Sequence, residues 1–182
     1  ARVPLVMAGG GLPEGTTVDT PVGHVDVVAT MLELAGARGH QALRGHSLLP
    51  LMEGRKGKHP GFAFCETHSE GNATGSYVIR KGDWKYIHFT WYDDLLFNVA
   101  EDPGELQNRS NDPGTKKIQE ELLGILRSQL NPDQVTLQAF ATQKRVLDGL
   151  VGSRSEAELV QTLEGRLGVG QARALASLLN GR

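Results

Sequence analysis

Cys65-Glu66-Thr67-His68-Ser69-Glu70-Gly71-Asn72 is the densest polar cluster in the chain. It holds a thiol, two carboxylates and an imidazole, the groups used for nucleophilic and acid–base work. It directly follows the apolar run Phe62-Ala63-Phe64, and polar side chains just past a buried strand commonly line a site. A turn held by Thr and Asn hydrogen bonds accounts for the same residues and is the simpler reading. Cys65 and His68 do not by themselves make a nucleophile–base pair, because spacing alone does not bring them together. The histidines His24, His40, His46, His59, His68 and His88 form no HExxH or other metal spacing. His40 and His46 lie in a Gly-rich loop and read as solvated; His59 precedes Pro60 and reads as exposed. His88 reads as a packed or half-exposed sheet residue. Gly9-Gly10-Gly11 follows an apolar run but lacks GK[ST] and GxGxxG, so it reads as a turn. Asn72-Ala73-Thr74 and Asn108-Arg109-Ser110 match the glycosylation sequon, a pattern common by chance.

The elements that must position these groups belong to a chain of 182 residues, 39 % hydrophobic and 22 % charged, with a net charge of -2. Such a length buries roughly 70 % of its unfolded surface, enough for a core. The apolar content excludes disorder. No stretch approaches the ~20 apolar residues of a membrane span. No basic stripe points to nucleic acid. The single Cys65 excludes an internal disulfide framework and a Cys-based zinc site.

Val3-Pro4-Leu5-Val6-Met7 reads as a short strand ended by glycines. A chain that opens inside a strand is expected to be a piece of something longer. A helix is predicted from about His24 to Ala35, with Val28, Met31, Leu32 and Ala35 as its apolar face and Gly36 as its left-handed cap. Ser47 is a plausible N-cap for a one-turn helix over 48–52. The polar stretch Gly54 to Pro60 is the best boundary between lobes. Phe62 to Cys65, Tyr77 to Arg80, Trp84 to Phe89 and Leu95 to Phe97 are β-prone runs. Lys81-Gly82-Asp83 is a hairpin signal, and Trp84, Tyr86 and His88 share one aromatic face. Ile118, Leu122, Ile125, Leu126 and Leu130 stripe a helix, and Asn131-Pro132-Asp133 opens the next. Ser153 and Glu156 make a capping-box pattern, and Ala172, Leu175 and Leu179 stripe a last short helix.

Five segments, in order, resemble the C-terminal part of a sulfatase. Arg2 to Met7 is similar to the family's Arg-Val-Pro-Leu strand, and Pro21 to Gly36 to its Pro-Val-Ser-His-Val-Asp helix. Leu43-Arg44-Gly45-His46-Ser47-Leu48-Leu49-Pro50-Leu51 matches its Leu-x-Gly-x-Ser-Leu-Leu-Pro-Leu turn. Arg80-Lys81-Gly82-Asp83-Trp84-Lys85-Tyr86-Ile87 matches its Arg-x-Gly-x-Trp-Lys-Tyr-Ile hairpin. Leu96 to Asn108 follows its Leu-Phe-Asp-Leu to Asp-Pro-x-Glu-x-x-Asn segment. Glu66 to Ser76, with Leu126 to Phe140, looks most similar to the choline-sulfatase and glucuronate-2-sulfatase (arylsulfatase K-like) branch. Gly23 stands for the usual Ser, Ala29 for Pro and Asn98 for Asp.

The resemblance implies an α/β protein: an edge of the alkaline-phosphatase-like sheet, then a small antiparallel sheet with packed C-terminal helices. Residues 1–54 would be a piece of the large α/β domain, 61–130 the small subdomain and 131–182 a helical tail. The family's formylglycine comes from a Cys/Ser-x-Pro-x-Arg motif, and Ca²⁺ assists it; neither the motif nor a carboxylate cluster is found here. The catalytic, cation-binding portion is therefore expected to precede this chain, and the isolated chain is expected to be inactive. No catalytic or metal-binding residue is assigned; Glu66 and His68 are expected to touch the substrate beyond its sulfate. That substrate would be a sulfate ester of a small molecule or carbohydrate. Self-association through an exposed sheet edge is also expected. Alternatives are a non-catalytic binding module on the same lobe, or part of a phosphonate or phosphate-ester hydrolase of the same superfamily.

Overall fold

The local rules set out above act first at residues 20–60. In the computed structural model, which describes residues 3–37, 43–68, 73–152, 155, 157–158 and 160–161, helix α1 spans His24–Leu34. Its N-terminus is closed by Asp26, whose Oδ2 accepts from the Gly23 N–H at 2.7 Å. Gly36, at φ 65°, takes the left-handed cap. The face α1 buries is not the predicted one: Asp26, Ala29 and Thr30 are buried, whereas Val28 and Met31 are exposed. The reason is polar. Asp26 Oδ1 accepts from the His46 N–H at 2.8 Å. Thr30 Oγ1 donates to the Asp26 carbonyl at 2.6 Å and accepts from the Leu48 N–H at 2.8 Å. These bonds draw the 43–48 loop over the small and polar side of the helix. Gly45 permits the approach, since a Cβ there would sit 2.0 Å from the Val25 carbonyl oxygen. The one-turn helix α2, Leu49–Met52, follows Leu48 as N-cap; Ser47 Oγ accepts only a long bond from the Leu49 N–H at 3.4 Å.

Val3 to Met7 forms no strand among the described residues, against the strand expected there. A strand exists only where a neighbour takes up its N–H and C=O groups, and no such neighbour is present among the described residues.

The sheet has four strands: β1 Phe62–Thr67, β2 Ser76–Lys81, β3 Trp84–Phe89 and β4 Leu95–Asn98. They are antiparallel in the order β1-β2-β3-β4. Gly82, at φ 52°, makes the β2–β3 turn, and the Arg80 guanidinium staples it by donating to the carbonyls of Gly82 and Trp84. Cross-strand partners Phe64↔Ile79, Ile79↔Tyr86 and Tyr86↔Leu96 put one apolar row on one face. Against that face lies helix α3, Lys116–Gln129. Ile79, Tyr86 and Leu96 close a fully buried core with Tyr77, Leu122 and Leu126. Helix α4, Pro132–Val151, starts at the predicted proline.

The chain divides into two compact units, residues 1–132 and 133–182. In the second, Ser155 and Glu158 cap each other: the Ser155 N–H donates to Glu158 Oε2 at 2.7 Å and the Glu158 N–H to Ser155 Oγ at 3.4 Å. Ser153, Glu156 and the last predicted helix lie outside the described residues. No helix among the described residues is long and apolar enough to cross a membrane.

Candidate functional site

One end of the four-stranded sheet gathers the polar residues. Strand alternation puts Glu66, Tyr77 and His88 in one row, because Glu66 pairs with Tyr77 and Tyr77 with His88. This row lies on the same sheet face as the core but at its margin. Glu66 is 42 % exposed and His68 is 23 % exposed. His68 Nε2 lies 3.7 Å from Glu66 Oε2, and its ring meets Tyr77 edge-on with centroids 5.4 Å apart. Both β1–β2 and β3–β4 connections leave the sheet at this end. A backbone bond from the Thr90 N–H to the Gly75 carbonyl, 3.1 Å long, joins them. Ser69, Glu70, Gly71 and Asn72 lie outside the described residues.

Behind this pair stands a network that the sequence reading missed. Asp94, at the start of β4, accepts from the Tyr86 hydroxyl at 2.5 Å and pairs with His88 Nδ1 at 2.8 Å. His88 stacks on Tyr86, with centroids 6.4 Å apart, and leans on Tyr77 at 6.1 Å. Burial raises the Asp94 pKa, but hydrogen bonds from His88 and Tyr86 outweigh it, so its carboxyl sits below the usual range. Burial, then the Asp94 hydrogen bond, push the Tyr86 phenol far up. An ionised carboxylate only accepts, so His88 Nδ1 carries a proton. Alternation had put Tyr86 and His88 on one face. No spacing rule points to Asp94, which reaches them through a hairpin connection.

A buried pair elsewhere overturns an expectation. His59 is not exposed: its side chain is 2 % accessible and its Nε2 lies 3.5 Å from Asp26 Oδ2. His59 Nδ1 accepts from the Gly61 N–H at 3.1 Å, which leaves Nε2 to hold the proton that faces the carboxylate. Pro60 and Gly61, at φ 77°, fold the chain back and carry the imidazole inward.

The lysines of the β2–β3 hairpin diverge. Lys81 pairs with Glu121 of α3 at 2.5 Å, and Lys85, on the opposite sheet face, with Glu105 at 2.5 Å. They do not converge on one anion. The sequon residue Asn108 is committed to structure, its Oδ1 accepting from the Leu96 N–H at 2.9 Å and the Ser110 N–H at 3.1 Å. Asn98, where the resembling family has Asp, still accepts from the N–H groups of Ala100 at 3.1 Å and Glu101 at 3.3 Å.

Comparison with known proteins places this arrangement. The profile of the family "N-sulphoglucosamine sulphohydrolase, C-terminal" matches residues 1–132. The chain belongs to that family. Among its relatives is arylsulfatase K of Danio rerio, 38 % identical over 117 residues, covering 59 % of this chain and 22 % of that protein. Choline-sulfatase of Rhizobium meliloti (strain 1021) is 34 % identical over 116 residues, covering 62 % and 22 %. A structure solved with its substrate D-glucosamine-2-N,6-O-disulfate superposes with a TM-score of 0.56 at 26 % identity, covering 65 % of this chain and 26 % of that one. The chain thus spans about a fifth of the length of the curated relatives it matches.

The sulfatase family implies a formylglycine and a metal ion. The residues here do not fit either. Cys65 is exposed, and Thr67 and Ser69 stand where the maturation motif needs Pro and Arg. Among the described residues no group of three or more His, Cys, Asp or Glu side chains could hold a metal ion. No reaction step is assigned to either group.

Proposed function

We propose that this chain is the C-terminal portion of a sulfatase that hydrolyses sulfate esters, and that it forms the wall of the pocket around the alcohol part of the substrate. The observation that carries the reading is the sulfatase-family match along residues 1–132, which includes the sheet end bearing Glu66 and His68. The nucleophile and cation would come from other parts of the polypeptide. The phosphonate and phosphate-ester alternative has no comparable support, since the curated relatives quoted above are sulfatases.

In this reading Glu66 and His68 bind rather than react. His68, held edge-on by Tyr77, donates to a hydroxyl or anionic group of the alcohol portion. Glu66, partly exposed beside it, accepts from a hydroxyl or faces a cationic group. A sulfated sugar presents both kinds of partner, and the structural neighbour described above was solved with one. Residues 1–54 would be a piece of the large α/β domain. Exposed Val3, Leu5 and Val6 and the uncovered Val25, Val28 and Met31 of α1 support this. The same surface would promote self-association of the chain on its own.

The test is His68→Ala in the full-length enzyme. Losing a hydrogen bond to the substrate should lower kcat/KM for a sulfated sugar by about two- to tenfold, with little change for a small alkyl sulfate. Equal kcat/KM across alcohol portions, before and after the substitution, would remove the assignment.

A further inference from the structure

The β3–β4 connection carries two exposed aromatic residues at the end of the sheet that holds Glu66 and His68. Trp91 is 59 % exposed and Tyr92 is 63 % exposed. Trp91 also has φ 68°, a left-handed conformation that is uncommon for a bulky side chain and is kept only where the surroundings enforce it. The surroundings here do enforce it. Thr90, fully buried, is bonded to the Gly75 carbonyl of the neighbouring connection at 3.1 Å. The Tyr92 N–H donates to the Phe89 carbonyl at 3.1 Å, closing the turn. Asp94 fixes the far side through Tyr86 and His88, and the Asn108 amide holds its carbonyl at 3.5 Å. The loop is anchored at both ends and presents an aromatic pair to solvent on a strained backbone.

We propose that Trp91 is a specificity-determining residue of the substrate pocket and stacks on the ring of a carbohydrate. A pyranose has an apolar C–H face and a rim of hydroxyls. An aromatic platform suits the face, and Glu66 and His68, at the same end of the sheet, suit the rim. A purely apolar ligand would instead require an apolar surround, whereas Asp93 on the same connection and Glu66 and His68 at the same sheet end are polar. The anchored loop means the platform is preorganised, so little ordering is needed on binding. The inference rests on the sulfatase reading above and adds the ring class of the alcohol portion.

The test uses the full-length protein with two substitutions. Trp91→Gly removes the ring and relieves the positive φ, so the loop keeps its shape; Trp91→Tyr keeps an aromatic face. D-glucosamine-2-N,6-O-disulfate and ethyl sulfate serve as probes, with KM and kcat measured for both and calorimetric binding for the sugar. Trp91→Gly should raise KM and weaken binding for the sugar by about three- to tenfold, leave kcat near parent, and leave ethyl sulfate unchanged; Trp91→Tyr should recover most of the loss. Unchanged sugar affinity in Trp91→Gly overturns the inference, as does an equal loss for ethyl sulfate. A large fall in Tm with parental kinetics also overturns it, and shows that another protein segment covers Trp91. If His68→Ala changes sugar kinetics and Trp91→Gly does not, only this inference fails. If the reverse holds, only the His68 assignment fails. Absence of binding to both probes overturns both.

Discussion

Asp94 ties together more of the candidate site than any other single residue described. It locks Tyr86 at 2.5 Å and His88 at 2.8 Å, and the His88 ring meets Tyr77, against which His68 lies edge-on. Asp94→Ala would leave the largely buried Tyr86 hydroxyl unpaired, and should cost about 1–3 kcal/mol in chemical denaturation. The pH dependence follows from the two shifts. Asp94 is held below its ordinary value of 3.8, so its stabilisation is present above about pH 4 and is lost as pH falls further. Tyr86 is held above its ordinary value of 10.0, so its neutral form stabilises the fold below that pH and the contribution is lost as pH rises beyond it. Thermal melts against pH should show both limbs, and Asp94→Asn should flatten the acid one. Alternation puts Tyr86 and His88 on one face, but it does not point to their acid partner. Glu66 and His68 stand out as a polar cluster after an apolar run, but Asp94 is one acid among many until the β3–β4 connection folds.

At the scale of elements, the strands and the α3 helix were legible because alternation and the 3.6-residue stripe act through nearest neighbours. Trp84, Tyr86 and His88 do share a face, as cross-strand pairing with Lys81, Ile79 and Tyr77 requires, and Leu122 and Leu126 are buried as the stripe predicts. α1 shows where the rule fails. Val28 and Met31 of its apolar stripe are exposed, and its buried side is set by Asp26 and Thr30 bonding the backbone of His46 and Leu48. Gly45 makes this contact possible. Gly45→Ala should therefore destabilise the 43–48 loop by about 1–3 kcal/mol through overpacking against the Val25 carbonyl. Hydrogen exchange at the His46 and Leu48 amides checks it: both should lose protection, while β2 and β3 keep theirs.

At the scale of the whole molecule, the chain covers 22 % of a curated relative, and in the proposed reading it is a substrate-facing lobe whose nucleophile and cation come from elsewhere in the polypeptide. Produced alone, it is expected to turn over no sulfate ester with or without Ca²⁺, and to sediment as a concentration-dependent oligomer through Val25, Val28, Met31 and the 3–6 segment. A single monomeric boundary at all concentrations, or turnover by pure material, would contradict this. The family was determined by sequence, because its turn and hairpin motifs are local: Gly36 at the helix end and Gly82 in the hairpin, both at positive φ, obey backbone constraints that few residues satisfy. Tertiary structure alone decided that His59 is buried against Asp26, that Lys81 and Lys85 meet Glu121 and Glu105, and that Asp94 reaches Tyr86 and His88. Those relations join residues separated in the chain, and they depend on hydrogen bonds whose partners meet only when the sheet and its connections have closed.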